Sequence, residues 1–234
     1  MIKIISSSWK KASSITCYSY RKSSSSSSLS PSALSKIKVI SLDVTGTILN
    51  HSPVGETYHK IAIKCGLPNP PTPIELKQAF KIAYHNNVIN YPCFGYYHNL
   101  TCKNWWKLTI KDTLILTGRE ENYCTSQQFN YYFNSIYQHY GTKNSYEIIY
   151  DTFNFLNYCK NNNYSIGIIT NNTNRMIDDI LPMLDLHNYF DWFLCSHEVG
   201  YEKPSRQIFD YAYNEAKYFT NDNLKRSEIL HIGN

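Results

Sequence analysis

One stretch constrains this chain more than any other: an apolar run that stops on a carboxylate. Ile37, Lys38, Val39, Ile40, Ser41 and Leu42 read as a strand, and Asp43 ends it. Val44, Thr45, Gly46 and Thr47 turn the chain at once, ahead of Ile48 and Leu49. A strand that ends this way presents Asp43 at the carboxyl edge of a sheet, where open α/β sheets bind ligands. A carboxylate held there can act as a nucleophile and form an acyl-phosphate.

The rest of the chain supplies the sheet. Residues 165–170, 192–195 and 229–233 read as further strands, separated by helices over 175–186, kinked at Pro182, and over 205–218. Strands alternating with helices imply a parallel sheet with right-handed crossovers. The predicted strand order is 3-2-1-4, with Asp43 on a central strand. Residues 54–160 show no strand pattern and read as five helices, over 56–65, 73–85, 101–116, 125–140 with Thr125 as cap, and 146–160. The expected architecture is therefore an α/β, Rossmann-like core of residues 36–53 and 160–234, with residues 54–159 inserted as an all-helical cap over the sheet edge.

Charge is segregated along the chain. Residues 1–42 hold seven basic residues and no acid, so the formal +5 of the 234-residue chain becomes −2 from residue 43 onward. The folded part carries no basic stripe for nucleic acid. No run of about 18 apolar residues exists to span a membrane. Residues 1–35 are Ser-rich, basic and acid-free, which fits a mitochondrial or plastid transit peptide; the alternatives are a low-complexity tail with no address and a cytoplasmic protein. Either way this tail is expected to pack on nothing. Seven scattered cysteines include no C-x-x-C pair and are expected to be reduced thiols.

Three further segments lie at strand ends or in the loops between strand and helix. Thr170 ends the second strand and is followed by Asn171 and Asn172; a hydroxyl and backbone N–H groups there can hold a phosphoryl oxygen. Lys203 lies in the run from Gly200 to Phe209, and a lysine between a carboxylate and a phosphate lowers the repulsion that the nucleophile meets. His231, Ile232 and Gly233 end the last strand, before Asn234. In order and spacing, these segments together with Asp43 resemble the four motifs of the haloacid dehalogenase-like (HAD) superfamily: D-x-D-G-T, a Ser or Thr after the second strand, G-x-x-K-P-x-x-x-I-F, and a final G-D. Within that superfamily, the Pro53, Val54, Gly55, Glu56, Tyr58 entry to the cap, Phe94-Gly95 and Trp105-Trp106 resemble one particular group.

The resemblance implies a Mg²⁺-dependent hydrolase acting on a small phosphorylated metabolite. Asp43 is then the nucleophile, with Thr45 and Lys203 beside it. Thr170, Asn171 and Lys203 hold phosphate, and Asp43, Thr45 and Asn234 ligate the metal. In the cap, Tyr96, Tyr97 and His98 are candidates for substrate contact, while Trp105 and Trp106 are read first as core. The chain departs from the motifs twice. Thr45 stands where phosphatases of the superfamily carry a second Asp, and so cannot protonate a leaving group near neutral pH. Asn234 stands where an acidic metal ligand is expected, and the C-terminal part of the core, a helix and a strand, is expected to be missing. Both departures predict a weak Mg²⁺ site and slow turnover. Two other readings remain: a binding protein that keeps the fold without turnover, and a haloacid dehalogenase. The latter is disfavoured because no arginine lies between Asp43 and Arg119.

Overall fold

The computed structural model describes residues 2–4, 35–120, 124–220 and 223–233. In chain order the main elements are β1 (Ile2–Ile4), β2 (Val39–Leu42), β3 (Leu49–His51), α1 (Val54–Lys64), α2 (Pro73–Asn90), α3 (Cys102–Leu116), α4 (Gln127–His139), β4 (Tyr146–Ile148), α5 (Thr152–Asn161), β5 (Ser165–Thr170), β6 (Trp192–Cys195), α6 (Arg206–Phe219) and β7 (Ile229–Ile232). The chain forms two units, Met1–Asn50 with Glu147–Asn234, and His51–Tyr146.

The first unit is built on a five-stranded parallel sheet in the order β1-β7-β2-β5-β6. Its four main strands take the order expected from the sequence. β2 and β5 are buried at every position, as continuous apolar runs in parallel sheets require. Helix α6 lays Ile208, Ala212 and Ala216, one residue per turn, onto Val39, Ile169, Trp192 and Ile229. Gly167 in β5 is glycine for lack of space, because a Cβ there would lie 2.0 Å from the Trp192 indole on β6.

The second unit is helical. Thr72 and Glu75 form a reciprocal capping box at α2, Thr101 caps α3, and Ser126, rather than the expected Thr125, caps α4. Its core joins Tyr58, Leu76, Ile110, Leu114, Phe129 and Tyr132. Helix α2 continues to Asn90, past the expected end near His85. A tertiary contact carries it on: the buried Asn87 amide donates to Thr109 and Asp112 on α3.

Three expectations are corrected. Residues 146–160 do not form one helix: Tyr146–Ile148 pairs with β3 as a two-stranded ribbon, and the helix begins only at Thr152. Asp151 intervenes with φ +69°, outside helical space, and three residues are too few for a strand period to stand out against the helical spacing of Ile149, Phe153 and Leu156. The chain therefore changes unit within this ribbon, at residues 50/51 and 146/147, and not at 53/54 and 159/160. Third, the N-terminal segment does not pack on nothing. Ile2, Lys3 and Ile4 run parallel to Leu230, His231 and Ile232, so β7 is not the edge of the sheet. An Ile-Lys-Ile alternation suits a strand, and the backbone groups along β7 offer a template for it. Residues 5–34, the rest of the Ser-rich basic segment, lie outside the described residues. No described helix is long and apolar enough to cross a membrane.

Cys93, Cys124, Cys159 and Cys195 are buried, while Cys65 and Cys102 are half-buried. Burial pushes the Cys159 thiol up to about 12.

Asp191 anchors the start of β5. Its Oδ2 accepts from the Ile166 N–H at 2.9 Å, and its Oδ1 pairs with Lys160 at 2.8 Å. Burial raises its carboxyl pKa, but the bonds from Lys160, Ile166 and Ser165, with the Lys160 charge, together outweigh this and hold it below the ordinary 3.8. The carboxylate therefore adds stability above pH 3.8, and that stability is lost as the pH falls through the lower folded-state value. Asp191→Asn should destabilise the protein by about 1 kcal/mol near pH 7. Urea unfolding over a pH series should show the gap to wild type closing in acid.

Candidate active site

Three chain segments converge at the carboxyl end of β2. The Asp43 N–H donates to the Ile232 carbonyl at 2.9 Å, extending the ladder with β7 by one bond beyond β2. The chain then knots. The N–H groups of Thr47, Ile48 and Leu49 all point to the Val44 carbonyl, and Gly46, at φ +77°, donates back to Leu49. Val44, Ile48 and Leu49 are buried beneath this turn, so hydrogen bonds and apolar packing both hold the loop after Asp43. On the other side Gly233 passes so close that a Cβ on it would lie 2.4 Å from the Asp43 Cβ.

The Asp43 carboxylate is asymmetrically engaged. Its Oδ1 accepts from the Val44 N–H at 2.8 Å and pairs with the Lys203 ammonium at 2.8 Å. Its Oδ2 has no hydrogen bond or ion pair among the described residues. The two side chains are only 12% and 7% exposed, so the pair sits largely out of water. The expected meeting of Asp43 and Lys203 is what the fold delivers.

Thr170 is buried at the end of β5. Leu42 lies opposite Ile168, so Thr170 ends the strand next to Asp43, one step further along. Asn171 follows, and its side chain is turned to the lysine loop. Its Oδ1 accepts from the Lys203 N–H at 2.7 Å, and its Nδ2 donates to the Lys203 carbonyl at 2.9 Å. Thr45 is half-buried in the turn after Asp43 and bridges to Leu49. Asn234 lies outside the described residues.

Tyr96, Tyr97 and His98 belong to the helical unit, where all three are exposed on a short 3₁₀ turn. Tyr96 and Tyr97 meet edge to face at 5.1 Å, and His98 packs its edge on Tyr91. Trp105 is fully buried, with its indole N–H donating to the Tyr91 carbonyl, and the neighbouring Trp106 is only partly buried. One tryptophan of an adjacent pair faces inward, as helix geometry demands.

Sequence reasoning missed a layer of support. Beneath Asp43, the buried Ser41 hydroxyl and His231 Nδ1 are 2.9 Å apart, directly opposite in register on β2 and β7. Phe209 packs its ring against that imidazole at 5.4 Å. The available signal was alternation: Ser41 and His231 are polar interruptions in otherwise apolar strands, and each lies two residues before a site position, Asp43 or Gly233. Among the described residues, no group of three or more His, Cys, Asp or Glu is placed to hold a metal. The Asp43 carboxylate and the Thr45 carbonyl offer hard oxygen donors, and Mg²⁺ takes one or two carboxylates with water and phosphate oxygens, so the donor chemistry fits the ion.

Comparison with known proteins agrees with this geometry. Residues 37–234 match the family described as haloacid dehalogenase-like hydrolase. A mouse (Mus musculus) relative named haloacid dehalogenase-like hydrolase domain-containing protein 3 is 28% identical over 182 residues, 77% of this chain and 70% of its own length. Among solved structures, the magnesium-bound HAD-hydrolase YfnB from Bacillus subtilis superposes with a TM-score of 0.56 at 15% identity, over 85% of this chain and 80% of that one. A 2-haloacid dehalogenase from Pseudomonas syringae pv. Tomato gives 0.53 at 18% identity, over 85% and 78%. These likenesses in structure show the shared fold.

Gly233 tests the site's construction. Gly233→Ala forces either β7 or Asp43 to shift, because both atoms at the 2.4 Å contact belong to short, backbone-bound side chains. Its thermal midpoint should fall by several degrees, equivalent to about 1–3 kcal/mol. An alanine placed at the exposed Gly118, where a Cβ meets nothing within 4 Å, is the control for backbone strain alone, since both glycines have positive φ.

Proposed function

Because the chain belongs to the haloacid dehalogenase-like hydrolase family, we propose that it hydrolyses small phosphorylated substrates through an aspartyl-phosphate on Asp43. The observation that carries this reading is the division of labour on one carboxylate: Oδ1 is held by Lys203 and the Val44 N–H, while Oδ2 is left without a partner among the described residues. Oδ2 attacks phosphorus, the bond to the leaving oxygen breaks, and the leaving group departs with the electron pair. Water then attacks the phosphorus, the Asp43 carboxylate is regenerated and phosphate is released. Lys203 offsets the negative charge that gathers when a carboxylate approaches a phosphate. Thr170 and the backbone N–H groups after it hold a phosphoryl oxygen. Mg²⁺, held by Asp43 and the Thr45 carbonyl, supplies electrophilic stabilisation of the phosphoryl group when bound.

Thr45 narrows the substrates. Its hydroxyl cannot donate a proton to a departing alkoxide or activate water near neutral pH, work that is typically worth about 10²–10⁴-fold in rate. Leaving groups that need no proton, such as the carboxylate of an acyl phosphate or a nitrophenolate, are therefore favoured over sugar alkoxides. The same residue favours a second reading, a binding protein that retains the fold without turnover.

Acetyl phosphate and 4-nitrophenyl phosphate separate the two readings. Wild type should cleave both in the presence of Mg²⁺, and Asp43→Asn should abolish the cleavage. Equal rates for the two proteins would leave the binding reading. Thr45→Asp should raise hydrolysis of a sugar phosphate by about 10²-fold or more while changing acetyl phosphate hydrolysis much less.

A further inference from the structure

Asn171 uses both ends of its side-chain amide on the backbone of a single residue, Lys203. We propose that Asn171 is a positioning residue: it latches the Lys203 backbone to the end of β5 and so fixes the ammonium against Asp43. Only the kinetic consequence of this proposal rests on the hydrolase reading above.

A lysine ammonium sits at the end of a flexible four-carbon stem, so its position depends on where its backbone is held. The Lys203 backbone lies in a connection between Gly200, at φ +71°, and Ser205, whose N–H closes a turn on the Glu202 carbonyl at 2.8 Å. Neither β6 nor α6 includes residue 203. The Asn171 amide bonds the N–H and the carbonyl of that residue together, as a neighbouring strand would, and two bonds from one rigid plane fix both translation and rotation. Asn171 directly follows Thr170, the last residue of β5. The register of β5 against β2, which also sets Asp43, is thereby carried to Lys203. The same two segments are tied again nearby, where the Ser196 hydroxyl and the His197 N–H both reach the Asn172 carbonyl at 3.3 Å. Those ties hold the far end of the connection. An aspartate of the same shape would keep the acceptor for the Lys203 N–H and lose the donor to its carbonyl. The amide is therefore the functional group that this latch requires.

The test reads the ammonium directly. In protein carrying ¹⁵N-lysine, an ion-paired ammonium shielded from water gives a slowly exchanging proton resonance, assigned to Lys203 by its loss in Lys203→Arg. That resonance should be present in the parent, weakened in Asn171→Asp and lost in Asn171→Ala. With acetyl phosphate, Asn171→Ala should lower kcat by about 10- to 100-fold with KM little changed. The same substitution should cost nothing further in a Lys203→Met background, because it acts through that lysine. If Asn171→Ala does not fold, Asn171→Asp, which keeps the volume, carries the comparison. A parent without the protected resonance, an unchanged resonance in the variants, or additive losses in the double variant would each overturn the latch. A resonance that is lost as expected in a protein with no hydrolytic activity would uphold the latch and count against the hydrolase reading alone.

Discussion

A carboxylate and an ammonium 2.8 Å apart, with little of either side chain in water, cannot exist without help. Withdrawing two charges from solvent costs several kcal/mol for each ion unless geometry and further hydrogen bonds compensate. The construction around Asp43 and Lys203 supplies that compensation. Asp43 is fixed through its backbone by β7 and through its carboxylate by Val44, and Lys203 is fixed through its backbone by Asn171. Gly233 gives up its side chain so that β7 can pass beneath the carboxylate. The buried pair of Ser41 and His231 ties β2 to β7 one layer further down. Remove the charged pair and none of these arrangements has an evident reason.

The sheet was legible in the sequence because each strand is a largely apolar run bounded by a turn signal, and four such runs in a parallel sheet admit few orders. Asp43 and Thr170 were legible because each lies at the end of a strand, which sends it to the carboxyl edge, and Lys203 because its run from Gly200 to Phe209 resembles a HAD motif. The role of Asn171 was not legible. Its neighbourhood suggested phosphate, and only the coordinates reveal a partner 32 positions away in the chain. The close approach of Gly233 to Asp43 was not legible either, since it is a property of two segments. The ribbon of β3 and β4 was missed for a simpler reason: three residues are shorter than one helical repeat and leave no period to read.

The two units solve the packing problem differently. In the sheet unit, small residues make room for large ones at fixed positions, as Gly167 does for Trp192. In the helical unit, aromatic rings do the filling. Trp105 is surrounded by Tyr84, Phe94 and Trp106 with ring centres 4.8–5.5 Å away, and Cys93 and Phe94 take left-handed backbone angles beside Gly95. Left-handed angles are unfavourable for residues with a Cβ. The Phe94 ring packs against Trp105 and Trp106, and Tyr96, Tyr97 and His98 stand exposed on the next turn.

The distribution of thiols bears on how the molecule can be handled. Within the described residues, the two half-buried cysteines, Cys65 and Cys102, both belong to the helical unit, and every described cysteine of the sheet unit is buried. A thiol reacts as its thiolate, and burial suppresses that form, strongly so at Cys159. Among the six described cysteines, brief alkylation of the native fold will therefore favour the helical unit and spare the chemistry around Asp43; the seventh, Cys17, lies outside the described residues. With Cys17 replaced, a fluorophore or spin label introduced in this way reports on one half of the molecule from native residues.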